Sequence, residues 1–520
     1  MVFVLIVAGL ILRLWHINFG LPHSWYADEP EIGEPAIKYT FELKNILRNN
    51  DVYKLAPENY VYGTFPVYFY TILLMIYSKI HHLLTLDFTK MDLYIYLRVI
   101  NAVISLLMVP VFLAILKRLT FNIPLISLLT GVFLLAFNWK LIVHAHYLNH
   151  DNLIAVLILL TNLFFFKYLI RNQDHQQPSS DTKEVILFAL CFGLAVSTKI
   201  TVLLTFPLYL AFFVKQHTYK QAVAFIIIIA GVFVLTNPFA WIFNQDFVSR
   251  LVEMRTKEAG IVFDSVDYRP FKYLAALAWI HTIPVALLSL AGLLTLKHKR
   301  SKPQVQFLIL MSLQILLYLL FFSLQGRRVD RWLLPIVPNM LLFAVIGLDH
   351  LTVKFSKAGV RYIWLTAISV AGIYYLYFPV VLTTQFNRNT PKSAAYIWAK
   401  ENLPESATKY GLTEEGLDPL NKLSFATVQQ FNAYESKAAQ LVYPPDPLLY
   451  DYVIISSRPL SWTQNPYVVQ KYPYYAFKWQ EFSKDLANDQ QFQLIKEFKI
   501  NKPNLIPLSA VSIYQKVIQP

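Results

Sequence analysis

Apolar runs close to the length of a bilayer crossing recur along this chain almost to residue 382, and they leave little freedom of fold. A helix needs about 20 predominantly apolar residues to cross a bilayer. The strong candidate spans are 1–15, 93–116, 121–143, 152–170, 184–198, 200–214, 221–236, 273–296, 304–323, 333–350 and 362–382. The chain is 56% hydrophobic and only 15% charged, where soluble domains carry about 25%. This pattern predicts an α-helical polytopic membrane protein of about 11 spans, with a range of about 10–13. The first apolar stretch lacks a basic leader and a small-residue cleavage site, so it reads as a retained span and not as a removed signal peptide.

Charge sets the orientation. Lys117 and Arg118, Arg171 and Lys183, Lys215 and Lys220, Lys297 to Lys302, and Lys354, Lys357 and Arg361 all fall in loops on one side if Met1 is cytoplasmic. That bias accounts for the net charge of +14 without a nucleic-acid partner, since no basic recognition stripe accompanies it. The segment 65–84 is apolar enough to span, yet counting it would reverse every later loop. It is therefore expected as a juxtamembrane helix inside a long first external loop, 16–90. The expected location is the plasma membrane, multi-pass, with membrane lipids as partners.

Hydrophobic runs stop near Leu382. A helical pattern around Ala394–Pro404 and strand-like pieces at Tyr452–Ser457 and Ala510–Tyr514 follow, separated by proline-rich turns. Residues 1–383 are thus expected as a transmembrane catalytic domain, and 384–520 as a small extracytoplasmic α/β domain. The single cysteine, Cys191, excludes an intrachain disulfide framework and any cysteine-based zinc cluster.

Two acidic loops stand out. Asp28-Glu29-Pro30-Glu31, with Glu34, directly follows the first apolar segment, and Asp151 closes the run His144-Ala-His146-Tyr-Leu-Asn-His150-Asp151. Carboxylates beside hydrocarbon are costly, so their presence there marks a functional site. Both loops fall on the expected external face. The same face carries Lys199, Arg98, Arg327, Arg328 and Arg331, where cations should be scarce. Arginine suits bidentate phosphate contact and lysine supplies a point charge, although side chains snorkelling to lipid headgroups give the same composition. His144, His146 and Asp151 are the candidate ligands should a divalent metal bind, without the spacing of a helical zinc motif. The aromatic cluster Tyr60 to Tyr70 reads best as an interfacial belt.

Several of these motifs, taken in order, resemble a known superfamily. They are Leu14-Trp-His-Ile-Asn-Phe-Gly-Leu-Pro, Tyr26-Ala-Asp-Glu-Pro, Tyr62-Gly-Thr-Phe-Pro-Val-Tyr, Leu97-Arg-Val-Ile-Asn-Ala, the His-Ala-His…Asp loop, Gly193-Leu-Ala-Val-Ser-Thr-Lys and Asp330-Arg-Trp-Leu-Leu-Pro. Together they resemble the GT-C glycosyltransferases, in particular the protein O-mannosyltransferase and aminoarabinose transferase branch. The resemblance covers nearly the whole chain. It implies a GT-C fold, a polyprenyl-monophosphate sugar donor, and a protein, lipid or glycan acceptor. It also implies that Asp28 is the general base of an inverting transfer, with Glu29 orienting it or touching the acceptor. His146 and Asp151 would support the acceptor or sugar, and Lys199, Arg331, Arg98, Arg327 and Arg328 would hold the donor phosphate. A base and a nearby carboxylate suit an oxocarbenium-like transition state. A transporter is the alternative, but it should carry mid-span charges and often repeated halves. Here the acids cluster at one face and no repeat is seen.

Overall fold

The computed structural model describes residues 1–22, 28–56, 63–83, 87, 89–119, 124–174, 182–259, 261–295, 301–355, 358–386, 389–414, 420, 423, 426–431, 441–500, 503–506 and 508–517. Helix α1 (Val2–Leu14) is followed by α2 (Glu29–Arg48), α3 (Phe65–Leu83) and α4 (Lys90–Leu119). Next come α5 (Leu125–Ala136), α6 (Trp139–Ala145), α7 (Asp151–Asp174) and α8 (Thr182–Thr198). A 3-10 segment, Ile200–Thr205, leads into α9 (Phe206–Lys215), α10 (Tyr219–Thr236), α11 (Pro238–Ile242) and α12 (Asn244–Ala259). The bundle closes with α13 (Lys272–His281), α14 (Ile283–Leu294), α15 (Lys302–Ser323), a second 3-10 segment (Asp330–Ile336), α16 (Val337–Lys354) and α17 (Ala358–Gln385).

Among the described residues six helices are long and apolar enough to cross a membrane, or eight spans if each of two bent pairs counts as one. The shortfall from eleven lies in short and broken helices. The expected spans 1–15, 184–198 and 200–214 become helices of 13, 17 and 10 residues. The expected spans 121–143 and 273–296 each break, the first by 44° and the second by 109°. The second break has a local cause. Thr282 sits at φ 67°, and Pro284 behind it has no amide hydrogen to continue the helix and restricts the residue before it. The segment 65–84 was expected to be apolar enough to span, but α3 is not among the helices that are. Its Tyr70 is fully buried in the main core, so that tyrosine is a core residue and not part of a belt. Tyr60 and Tyr62 lie outside the described residues.

A broken helix in hydrocarbon must find partners for its freed carbonyls. Arg13 supplies them for α5. Its guanidinium is fully buried and donates to Ala136 O at 2.5 Å, to Gly9 O at 3.0 Å and to the Ser105 hydroxyl at 3.0 Å. The Tyr375 hydroxyl donates to Leu134 O at 2.6 Å. A cation at a helix C-terminus also meets the negative end of the helix dipole. Asn138 then caps α6, accepting from Leu141 N, and donates across to Ile280 O at 3.2 Å. The two bent pairs therefore meet at their breaks. Helices α14 and α16 touch backbone to backbone: a Cβ on Gly292 would collide with Phe343 O, and one on Gly347 with Leu288 O.

Beyond α17 the chain forms α18 (Pro391–Asn402) and a five-stranded sheet with α19 (Ser457–Thr463), α20 (Pro466–Lys471) and α21 (Pro473–Leu486). The strands are β1 (Lys409–Glu414), β2 (Ala426–Phe431), β3 (Tyr452–Ser456), β4 (Phe492–Phe498) and β5 (Val511–Lys516), in the order β2-β1-β3-β5-β4. The first three are parallel, and β5 and β4 continue antiparallel. Ile261, Phe263 and Val266 join the apolar core of this unit. Leu505, Ile506 and Leu508 pack with Phe19, Trp139 and Phe378 of the bundle. The sheet unit is thus fastened to the helices at two places.

Candidate active site

Glu29 is the anchor of the site. It is fully buried and receives two parallel bonds from Arg98, Nε to Oε1 at 2.7 Å and Nη2 to Oε2 at 2.6 Å. The same carboxylate accepts from Leu148 N at 2.9 Å. Arg98 spends its remaining nitrogen on Ile17 O and Phe19 O. One turn along α4, Asn101 donates to His144 O and Tyr147 O. The Arg98 and Asn101 pair, three apart on one helix face, therefore ties together the first loop, the start of α2 and the 144–148 turn. Arg98 was expected on the donor phosphate; the structure commits it to Glu29.

Asp28, the N-cap of α2, differs from its neighbour in exposure and in the geometry of its arginine contact. Its side chain is 30% exposed, and Arg331 meets it through one contact at 2.6 Å. Burial raises its carboxyl above the ordinary carboxylate range, and Lys199 and Arg327 pull it back. Asp151, at the first turn of α7, lies within electrostatic reach of Asp28. It is buried, 3.7 Å from Lys199 Nζ and 3.7 Å from His144 Nδ1, with His150 at 3.9 Å. Burial and Lys199 push His150 well below the usual imidazole value, so it is neutral at pH 7. The Tyr147 hydroxyl pairs with His144 Nδ1 at 2.6 Å.

Local backbone places Lys199. The residue lies between α8 and the following 3-10 turn. Gly63, at φ +112°, packs so tightly on Ser197 O that a Cβ there would collide. Thr64 N donates to Asn237 Oδ1 at 2.8 Å. Gly63 thus packs against the backbone just before Lys199, while Thr64 ties the first loop to the α10–α11 junction.

The structure brings Asp28, Asp151, Lys199 and Arg331 into one cluster at one end of the bundle, with Arg327 near Asp28. Arg327 donates to the Ser265 hydroxyl and contacts Asp264 at 3.3 Å, and Arg328 contacts Asp330 at 3.1 Å. His146 sits apart. Its ring stacks on Phe386 at 3.6 Å, and its two nitrogens face Ile142 O and Trp15 O. Both nitrogens are engaged with backbone, which makes it a strut between α1, α6 and the end of α17. His144, His146 and Asp151 accordingly do not converge, and among the described residues no group of three or more candidate ligands could hold a metal ion. Lys140 was missed. It lies on α6 one turn before His144, with its ammonium 5.1 Å over the Trp139 ring and Asp330, Asp151 and Arg328 as electrostatic neighbours. A lysine inside an apolar run is itself a functional signal, and that signal was present.

A family model described as dolichyl-phosphate-mannose-protein mannosyltransferase matches residues 3–252. A second, described as the Alg9-like mannosyltransferase family, matches residues 271–407. Among solved structures the chain is similar to ArnT from Cupriavidus metallidurans bound to undecaprenyl phosphate. That likeness has a TM-score of 0.53 and 13% identity, and covers 98% of this chain and 97% of the other. It is also similar to the archaeal oligosaccharyltransferase AglB from Archaeoglobus fulgidus, in complex with an inhibitory peptide and a dolichol-phosphate. Here the TM-score is 0.53 and the identity 13%, over 98% of this chain and 75% of that one. At such identity these likenesses speak to the fold. No curated protein matches the chain.

Proposed function

We propose that this chain, a membrane glycosyltransferase of the GT-C superfamily, moves a sugar from a polyprenyl-monophosphate donor to an acceptor hydroxyl with inversion at the sugar carbon. The reaction takes place at the external face of a plasma membrane. Residues 1–383 form the catalytic unit, and the sheet-bearing unit, 384–520, recognises a protein, lipid or glycan acceptor.

The observation that carries this reading is the contrast at the start of α2. Asp28 is part-exposed, raised by burial, and bordered by Arg331, Lys199 and Arg327. In the transfer the acceptor oxygen attacks the sugar C1 while the bond from C1 to the phosphate oxygen breaks. The acceptor proton passes to the Asp28 carboxylate, and the polyprenyl phosphate leaves with the bonding electrons. Positive charge develops on the sugar ring as this happens, and the Asp28 and Asp151 carboxylates stabilise it. Lys199 and Arg331 meet the charge of the departing phosphate, with Arg327 and Arg328 behind them. Glu29 and Arg98 do not touch the reacting atoms; they are positioning residues that fix Asp28 against the 144–151 turn.

The test is a transfer assay in purified membranes with labelled polyprenyl-phosphate sugars and a panel of acceptors. Asp28→Asn should retain donor binding and lose transfer. Undiminished transfer by that variant would remove Asp28 from the role.

A further inference from the structure

Each cation expected at the donor phosphate has a carboxylate partner in the structure. Arg98 is held by Glu29, Lys199 lies beside Asp151, and Arg331 meets Asp28. Arg327 meets Asp264 and Arg328 meets Asp330. Lys140 is the exception among the cations gathered here. It makes no hydrogen bond or ion pair of its own with a described residue, and its ammonium rests over the Trp139 indole. Its electrostatic neighbours are Asp151 on one segment and Arg328 and Asp330 on another.

Charge count gives the same answer. Leaving out the charge-balanced Arg98–Glu29 and Arg327–Asp264 pairs, each of which sums to zero, the carboxylates Asp28, Asp151 and Asp330 stand beside the cations Lys140, Lys199, Arg328 and Arg331. One positive charge is left over in a cluster half-removed from water, where an uncompensated charge is expensive. An anionic ligand would balance it. The surplus charge is carried on a flexible stem by the group least committed to a protein partner, and a rotatable ammonium accepts a phosphate in many geometries.

We infer that Lys140 is the ammonium that receives the phosphate of the lipid donor, lying over Trp139 until the anion arrives. This rests on the reading of the chain as a user of polyprenyl-phosphate sugars. Lys199 and Arg331 meet the departing charge while paired with the two aspartates, and Lys140 adds the affinity that holds the anion. The sharp α5–α6 break has a use in this arrangement. The lysine sits just past the 44° bend, within electrostatic reach of Asp151 and Asp330.

The test compares two ligands with the same tail, undecaprenyl phosphate and undecaprenol, binding to the purified full-length protein in lipid nanodiscs. The wild type should prefer the phosphate. Lys140→Gln should lose that preference by roughly tenfold to a hundredfold, the worth of a charge-assisted contact, while undecaprenol binding stays unchanged. Lys140→Arg should restore part of it. Unaltered phosphate preference in Lys140→Gln would overturn the assignment. An equal loss for both ligands would overturn it too, because that is the mark of a structural role. A wild type that does not discriminate between the two lipids would sink both this assignment and the proposed donor class. Intact discrimination without any sugar transfer would sink the proposed reaction and leave Lys140 in place.

Discussion

Two adjacent residues, Asp28 and Glu29, each meet an arginine, and the two pairs are built for opposite purposes. The Glu29–Arg98 pair is sealed, with both side chains at 0% exposure, parallel bonds in a fork, and the remaining arginine nitrogen directed at two carbonyls. The Asp28–Arg331 pair has one contact, and its side chains are 30% and 22% exposed. The first arrangement engages both carboxylate oxygens and fixes the backbone; the second keeps part of a carboxylate within reach of a ligand. One turn of chain thus carries both the rigid support and the group it supports.

Substitutions can break this comparison from either side. The largest effect is expected at Asp28: Asp28→Asn should lower turnover by roughly 10²–10⁴, with an unchanged melting temperature and normal membrane insertion. Glu29→Gln should do the reverse. It strands a buried guanidinium, which costs about 3–5 kcal/mol, so thermal unfolding of the detergent-solubilised protein should show a large loss of stability. Comparable unfolding curves for Asp28→Asn and Glu29→Gln would erase the distinction between the two pairs.

Arg331→Lys sharpens the comparison. The open pair needs charge more than a planar fork, so turnover should fall by no more than about tenfold, within the range for one charge-assisted contact. Arg98→Lys cannot reproduce a double bond plus two carbonyl contacts, and it should destabilise the protein where Arg331→Lys does not. The smallest effect concerns pH. In the proposed role Asp28 acts deprotonated, so the rate should rise as pH climbs through its raised pKa and then level off. Lys199 holds that pKa down; Lys199→Gln should therefore displace the acid limb of the pH–rate profile toward higher pH. An acid limb that stays in place would disconnect Lys199 from Asp28.

Much of this organisation was legible from residue order. The helical membrane class followed from apolar run lengths, and the Asp28 and Asp151 loops stood out because acids beside spans are rare. The strand-like pieces at 452–457 and 510–514 became β3 and β5, and the helical pattern near 394–404 became α18. What stayed hidden is tertiary. Sequence shows that Arg98 is a cation near a span end, but its use depends on Glu29, which only the fold brings opposite. Arg13 and Lys140 vanish into apolar averages because one charge barely lowers the hydropathy of a long window. The breaks in α5–α6 and α13–α14 lie within runs that are apolar throughout, so composition reported two straight spans where backbone geometry makes four helices. Strands β1 and β2 are parallel and adjacent, and their registry is set by long-range pairing and not by local alternation.

The glycine contact between α14 and α16 has its own reach. Gly292 and Gly347 let two helices meet without side chains between them, and α16 follows directly from the 330–336 segment that bears Arg331. A single methyl inserted at either glycine has nowhere to go except into the spacing of the two backbones. Arg331 lies just ahead of one of them, 2.6 Å from Asp28. The machining tolerance of the proposed reactive end is therefore set at a seam where the smallest side chain is already too thick.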